Sequence, residues 1–390
     1  MILLDFLMNH KILLIGTVLI NLGLLFTVAR SRSIKNTILR ELFYIPARKS
    51  KTNAVVLGGL ALSFSTLFVV YYFYSNSLMI TLEKFSSLGF ILSIFLVTIH
   101  GYLDDKFEIS PRIKLLSQLF AVMTFSLFLV IILQREFIIF FIPIAVFWGF
   151  GTLNGSNLLD GLDTMTVKVS SVVFLTFYSI GFLYNIKNII LITPLLYIGI
   201  CSFYFFNKEP AKIHLGEIGA NLLGLTYIFL SSLIYINTFK EIGPSQAIFL
   251  SLLPLSIPMI ELAVSFLRRL YFKKSPFKSD RLHIHHILTR ERKYSASKAA
   301  SATALIFLVP TLVCLFILQD NVVLTYFIHG FSSMGLYILV CYKYWKKDHD
   351  LEMQESIEVG KNLKSKNIKL ISSKIVEDFE IIIDSEQKKD

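Results

Sequence analysis

Blocks of about twenty apolar residues recur along this chain, and that spacing limits its architecture more than any other feature. A helix needs roughly 20 mostly apolar residues to cross a bilayer. About eleven stretches meet that length: 11–29, 54–75, 86–103, 113–133, 137–151, 166–184, 188–205, 218–236, 246–267, 299–318 and 323–342. Of these, 137–151 is short, and 113–133 starts inside a charged loop. Within lipid the backbone must satisfy its own hydrogen bonds, so such stretches become helices. The reading is an all-α polytopic membrane protein, with a transmembrane domain over 1–342 and a tail over 343–390. The composition agrees: 54% of the 390 residues are hydrophobic, against roughly 45–50% apolar in soluble domains. The first block follows Asp5 and Lys11 rather than a basic leader, so it reads as an uncleaved helix.

Charge sets the expected orientation. The net charge is +11, and no nucleic-acid-binding motif accompanies it. When alternate connections are placed on opposite sides, 33 of the 38 Lys and Arg fall on one side with the C-terminal tail. Lys11, Lys84, Arg135, Lys187 and Lys240 fall on the other. By the positive-inside rule the N-terminus is outside and the tail cytoplasmic. The tail carries 10 basic and 11 acidic residues, so it does not read as a basic lipid-binding arm. Cys201, Cys314 and Cys341 lie in apolar segments without metal-ligand spacing and read as small core residues.

Four polar loops share the basic side. They hold Asp104-Asp105, Asn154 to Asp163, His214 to Gly219 and Asp280 to His286. Charged groups beside lipid are costly, so they are functional candidates. Adjacent acids such as Asp104 and Asp105 can hold Mg2+ or accept a proton. An ordinary capped loop is the alternative, with Ser110 or Asp105 capping the next helix. Asn154, Asn157, Asp160 and Asp163 recur every three residues, which on a helix makes one polar stripe. Glu217 stands between Gly216 and Gly219 at an expected helix start, as a metal ligand or as an acid stabilising that start. In Asp280-Arg281-x-His283-x-His285-His286, arginine and histidines suit phosphate and sugar oxygens. Zinc is the alternative there, disfavoured by the surrounding Arg and Lys. Carboxylates for a metal, together with basic groups for phosphate, point to phosphate chemistry at a membrane surface.

Taken in order, these segments resemble the polyprenyl-phosphate N-acetylhexosamine-1-phosphate transferase family over about residues 40–300. The matching motifs are Gly101-Tyr-Leu-Asp-Asp-Lys-Phe-Glu-Ile-Ser110, Asn154 to Asp163, and Ser275-Pro-Phe-Lys-Ser-Asp-Arg-Leu-His-Ile-His-His286. The last has the form of the N-acetylglucosamine-phosphate branch. The family includes the peptidoglycan translocase and the enzymes that start O-antigen (lipopolysaccharide) and teichoic-acid synthesis. The resemblance implies transfer of a sugar-1-phosphate from a UDP-sugar to undecaprenyl phosphate, with release of UMP. It implies an Mg2+ cofactor, with Mn2+ as a substitute, at the cytoplasmic face of a bacterial plasma membrane, and a homodimer. Asn157 and Glu217 would hold the metal. Asp104 would be the base, Asp105 would support it, and Asp160 would organise its segment. Lys114 would contact the diphosphate, Asp163 the uracil, and Arg281, His283, His285 and His286 the sugar phosphate. Asn154 belongs to the substrate segment. Arg48 and Lys49 resemble the family's basic pair ahead of Gly58-Gly59.

The chain departs from the pattern at Glu217, where Asp is usual, and at Ala220, where Ser is usual. Thr164 stands where Gly is expected, Lys51 where His is, and a Pro before the glycine pair is missing. A lipid-linked sugar flippase and a catalytically inactive relative are the alternatives. The flippase would need charges along a path within the helices rather than gathered in loops on one side.

Overall fold

The computed structural model describes residues 8, 10–31, 44–45, 54–76, 78–132, 138–276 and 280–351. Two compact units divide the chain, 1–338 and 339–390, and all four polar loops belong to the first. Arg48, Lys49 and Lys51 lie outside the described residues, as does the tail beyond 351.

Thirteen helices and one two-stranded sheet make up the described residues. They are α1 (Lys11–Ser31), β1 (Val55–Val56), α2 (Gly58–Ser75), α3 (Thr81–Phe107), α4 (Pro111–Ile132), α5 (Ile138–Leu158) and α6 (Met165–Leu183). There follow α7 (Lys187–Asn207), β2 (Ile213–His214), α8 (Gly216–Ile242), α9 (Pro244–Leu252), α10 (Ser256–Tyr271), α11 (Ile284–Arg290) and α12 (Ala296–Ile317). The last helix, α13, is Val322–Leu351.

Nine of these helices are long and apolar enough to cross a membrane, and ten if the α9–α10 pair counts as one span. The expected span at 137–151 falls on α5. The chain is thus an all-α polytopic membrane protein. One expected span is not straight: 246–267 breaks at 253–255, and its halves meet at 73°. Pro254 sits at that break, and a proline lacks the N–H and clashes with the preceding turn.

The centre of the bundle is α8, 89% of whose apolar window is buried inside the protein. Glycines let its neighbours approach closely. A Cβ on Gly59 would lie 2.1 Å from the Gly219 nitrogen, and one on Gly101 would lie 2.5 Å from the Ile218 nitrogen. A Cβ on Gly155 would meet the Pro258 carbonyl oxygen at 2.1 Å. Small residues at helix crossings bring backbones into van der Waals range. The parallel pairing of Val55 with Ile213 and Val56 with His214 then joins the approaches to α2 and α8. Together these contacts draw the ends of α2, α3, α5, α8 and α10 to one end of the bundle.

Candidate active site

At that end the four polar loops converge. Asp104 and Asp105 do not follow a helix end, as expected; they form the last turn of α3, which runs on to Phe107. Ser110 caps the next helix, accepting the Ile113 N–H at 3.5 Å. Asp104 Oδ1 accepts the Ile109 N–H at 3.1 Å, and its Oδ2 lies 3.6 Å from Lys114 Nζ on α4. Asp105 Oδ1 accepts the Glu217 N–H at 3.2 Å, tying α3 to the first turn of α8. Gly216, at φ +74°, makes that approach feasible, because a Cβ there would lie 2.6 Å from Asp105 Oδ2.

Glu217 is the hub. Its Oε1 takes the Lys114 ammonium and the Asn157 Nδ2 amide, the latter at 2.7 Å. Oε2 accepts Asn221 Nδ2 at 3.1 Å, and Asn221 Oδ1 accepts Gln118 Nε2 at 2.8 Å. The side chain is only 12% exposed, so these hydrogen bonds replace most of its water. Asn221, four residues along α8, was not singled out by sequence, although i to i+4 spacing from Glu217 marks it.

The expected polar stripe is helical only in its first half. Asn154 and Asn157 ride on α5, whereas Asp160 and Asp163 lie beyond it in the turn before α6. Asn154 bonds to its own helix, donating to the Phe150 carbonyl at 2.8 Å. Asp160 accepts the Thr166 hydroxyl at 2.5 Å. Burial pushes the Asp160 carboxyl up to about 7; Thr166 and the Gly216 N–H oppose the rise, and Glu217 and Asp163 add to it. Asp163 accepts the Ala211 N–H at 2.9 Å and faces His214 at 3.8 Å. Burial lowers His214, with Asp163 opposing. Thr164, where a glycine was expected, has φ +66°, a left-handed conformation that a β-branched residue adopts only under strain. Its N–H is held by Asn207 Oδ1 at 2.8 Å.

The histidine loop joins the same end through Gly161, where a Cβ would lie 2.2 Å from His285 Nε2. Arg281 is exposed, while His283 and His285 are buried. The three rings lie together, with centroids 4.2 Å apart for His285 and His286, and 5.7 and 6.2 Å from His283 to each. Burial and the neighbouring histidines lower His285, and burial with His283, Arg281 and Arg290 lowers His286 to about 4, Asp280 opposing. These two rings are neutral donors and acceptors rather than cations. Asp280 is not a free ligand: Arg268 grips it with two bonds, at 2.9 and 3.0 Å, and Arg269 adds a third at 3.0 Å. Burial raises the Asp280 carboxyl, but the arginines and the Leu282 N–H outweigh it and hold the group well below the usual carboxylate range.

The donor set suits a hard cation. Glu217 offers carboxylate oxygens with the Asn157 side-chain amide turned to it through Nδ2, and the Asp104 carboxylate stands beside them with Lys114 between. Among the described residues no group of three or more His, Cys, Asp or Glu stands in a metal-holding arrangement. Mg2+ takes one or two protein ligands and leaves the rest to water and phosphate, so a site for it would need no more than Glu217 and Asn157.

Fold and site together define a polytopic membrane protein with an acidic, lysine-bridged cluster at one end of its helices. Residues 87–235 match the glycosyl transferase family 4 model. A probable undecaprenyl-phosphate N-acetylglucosaminyl 1-phosphate transferase of Bacillus subtilis (strain 168) is 32% identical over 204 residues, which is 50% of this chain and 56% of the relative. An undecaprenyl-phosphate alpha-N-acetylglucosaminyl 1-phosphate transferase of Thermotoga maritima is 32% identical over 206 residues, 52% of this chain and 60% of the relative. A phospho-N-acetylmuramoyl-pentapeptide-transferase of Streptococcus pneumoniae serotype 19F is 28% identical over 200 residues, 46% of this chain and 59% of the relative. The chain thus spans less than two thirds of the length of these relatives.

Proposed function

We propose that this protein transfers an N-acetylhexosamine-1-phosphate from a UDP-sugar to undecaprenyl phosphate, releasing UMP, at the cytoplasmic face of a bacterial plasma membrane. The observation that carries the reading is the convergence of Asp104, Asp105, Asn157, Asp160 and Glu217 with Lys114 at one end of the helices. The names of the relatives support the acceptor lipid and the class of sugar.

The chemistry follows from the groups present. A lipid phosphate oxygen attacks the β-phosphorus of the UDP-sugar. The bond from that phosphorus to the oxygen bridging the α-phosphate breaks, and UMP leaves with that oxygen. Asp104 takes the proton of the lipid phosphate through Oδ2, its Oδ1 being held by the Ile109 N–H. Lys114, between Asp104 and Glu217, meets the charge of the diphosphate. Asp105 fixes the first turn of α8, and so the position of Glu217. Asp160, held by Thr166, shapes the turn that presents Asp163 to the base. His285 and His286, neutral, accept from or donate to sugar hydroxyls, and Arg281 takes phosphate charge. Mg2+ held by Glu217 and Asn157 would neutralise the diphosphate and stabilise the leaving phosphate.

The test is UMP release by the purified full chain in detergent, with undecaprenyl phosphate, Mg2+ and a panel of UDP-N-acetyl sugars. Release that requires both lipid and metal supports the reading, and the best sugar names the donor. No release with any donor overturns it.

A further inference from the structure

One buried carboxylate lies outside this machinery yet is wired to it. Glu261 is on α10, and its side chain is fully buried. Glu261 Oε1 lies 2.7 Å from His283 Nδ1 and accepts the Tyr337 hydroxyl at 3.0 Å. The oxygen of that same hydroxyl accepts the Ile284 N–H at 2.9 Å. Ser265, one turn along α10 from Glu261, places its hydroxyl 3.1 Å from His283 Nδ1. The second carboxylate oxygen, Oε2, is buried without a hydrogen-bond partner. A carboxylate inside a membrane helix with an idle oxygen is costly and does little for the fold. Its contacts all lead to the start of the histidine helix α11.

We propose that Glu261 is a positioning residue for the histidine loop, acting through His283; this rests on the transferase reading above. Glu261 Oε1 accepts the Tyr337 hydroxyl, so the ring nitrogen 2.7 Å from that same oxygen is its second donor, and Nδ1 of His283 carries the hydrogen. That fixes both the tautomer and the plane of the ring and leaves Nε2 as its acceptor nitrogen. Tyr337 carries the same anchorage into the backbone by holding the first N–H of α11. His285 and His286 ride on that helix, and His285 meets Gly161 in the neighbouring loop. The carboxylate therefore sets where the three imidazoles stand against the Asp160–Asp163 turn.

Two measurements on the full chain test this. In UMP-release kinetics, Glu261→Gln lowers kcat about ten- to hundredfold, the usual cost of removing a group that orients a functional histidine. KM for the UDP-sugar stays within a few fold. The Glu261→Gln, His283→Ala double variant is no slower than His283→Ala alone, because the carboxylate acts through that ring. Losses that multiply, or an unaffected kcat, overturn the proposal. The second measurement needs no turnover and no Glu261 variant. In 15N-histidine-labelled wild type, with the His283 signals identified by their loss in His283→Asn, the ring nitrogen shifts show hydrogen on Nδ1. A ring protonated on Nε2 alone overturns the proposal even if the enzyme is active. An Nδ1–H ring in a protein that turns over no UDP-sugar leaves the anchorage standing and removes the transferase reading instead.

Discussion

Replacing Glu217 with glutamine changes one atom and breaks a pattern of donors. Three donors converge on this carboxylate: Lys114 Nζ, Asn157 Nδ2 and Asn221 Nδ2. An amide has one acceptor oxygen and one NH2. If the oxygen stays with Lys114 and Asn157, the NH2 confronts the Asn221 NH2. Asn221 can turn over, but its Oδ1 then leaves Gln118, and Gln118 must turn as well. That second turn puts an NH2 where Gln118 Oε1 is now buried without a hydrogen-bond partner. Turning both amides exchanges one unmet acceptor for one unmet donor, and without the turns two NH2 groups face each other at a cost of about 1–3 kcal/mol. The charge assistance on the remaining bonds is also lost, since hydrogen bonds to charged groups contribute about 1.5–3 kcal/mol and neutral ones about 1. Glu217→Gln is therefore expected to destabilise the fold by about 2–4 kcal/mol. Thermal unfolding in detergent, wild type against variant, reads this as a lowered Tm. Adding Lys114→Met should recover part of the loss, because the stranded ammonium is removed with its partner. A Glu217→Gln protein as stable as wild type, or one further weakened by Lys114→Met, would refute the reasoning.

Other substitutions probe the remaining contacts. Gly161→Ala drives a methyl against His285 Nε2 and is expected to cost about 1–3 kcal/mol and to slow UMP release, while the protein still folds; unchanged kinetics would separate the histidine loop from the site. Gly59→Ala places the methyl on the Gly219 backbone, where no side chain can yield, so folded protein recovered from membranes should fall below detection by size exclusion. Asp280→Asn removes the charge that Arg268 and Arg269 grip and should cost about 3 kcal/mol at pH 7. The Asp280 carboxyl is held below its unfolded value, so its stabilisation is present above roughly pH 4 and fades as pH falls further. The Tm gap between Asp280→Asn and wild type should accordingly narrow on acidification below that point. Thr164→Gly relieves a left-handed threonine and should raise Tm, by about 1 kcal/mol of stability.

Hydropathy alone located the membrane helices, because lipid requires each crossing to be a continuous apolar helix. The site residues were legible for the same reason: carboxylates and histidines among apolar blocks stand out. What could not be read was the partnership. Asp105 and Lys114 meet Glu217 across more than a hundred residues of chain, and no local pattern encodes that distance. Nor could hydropathy see that α3 carries Asp104 and Asp105 within its last turn, since a helix continues past the apolar limit wherever caps allow. Gly59, Gly101 and Gly219 stood within the motifs, but nothing in the sequence told that they set helix crossings. Glu261 was missed although it left a signal: it is an acid inside an expected span, the criterion applied to the four loops. Arg268 and Arg269 were not singled out in the sequence, yet they hold Asp280. Thr164 shows a gap of another kind. Its departure from the family pattern was visible, and its backbone conformation supplies the reason a glycine is usual there.

A cluster of charges set into a bilayer poses a hazard apart from catalysis, because ions follow polar paths. Here the polar end of the bundle stands on crossings where backbone meets backbone, at Gly59 with Gly219, Gly101 with Ile218 and Gly155 with Pro258. Beneath them α8 continues through Leu222, Leu223, Leu225 and Phe229, all buried. Such a floor works as an electrical seal. Vesicles carrying the protein should hold a proton gradient as well as empty ones do.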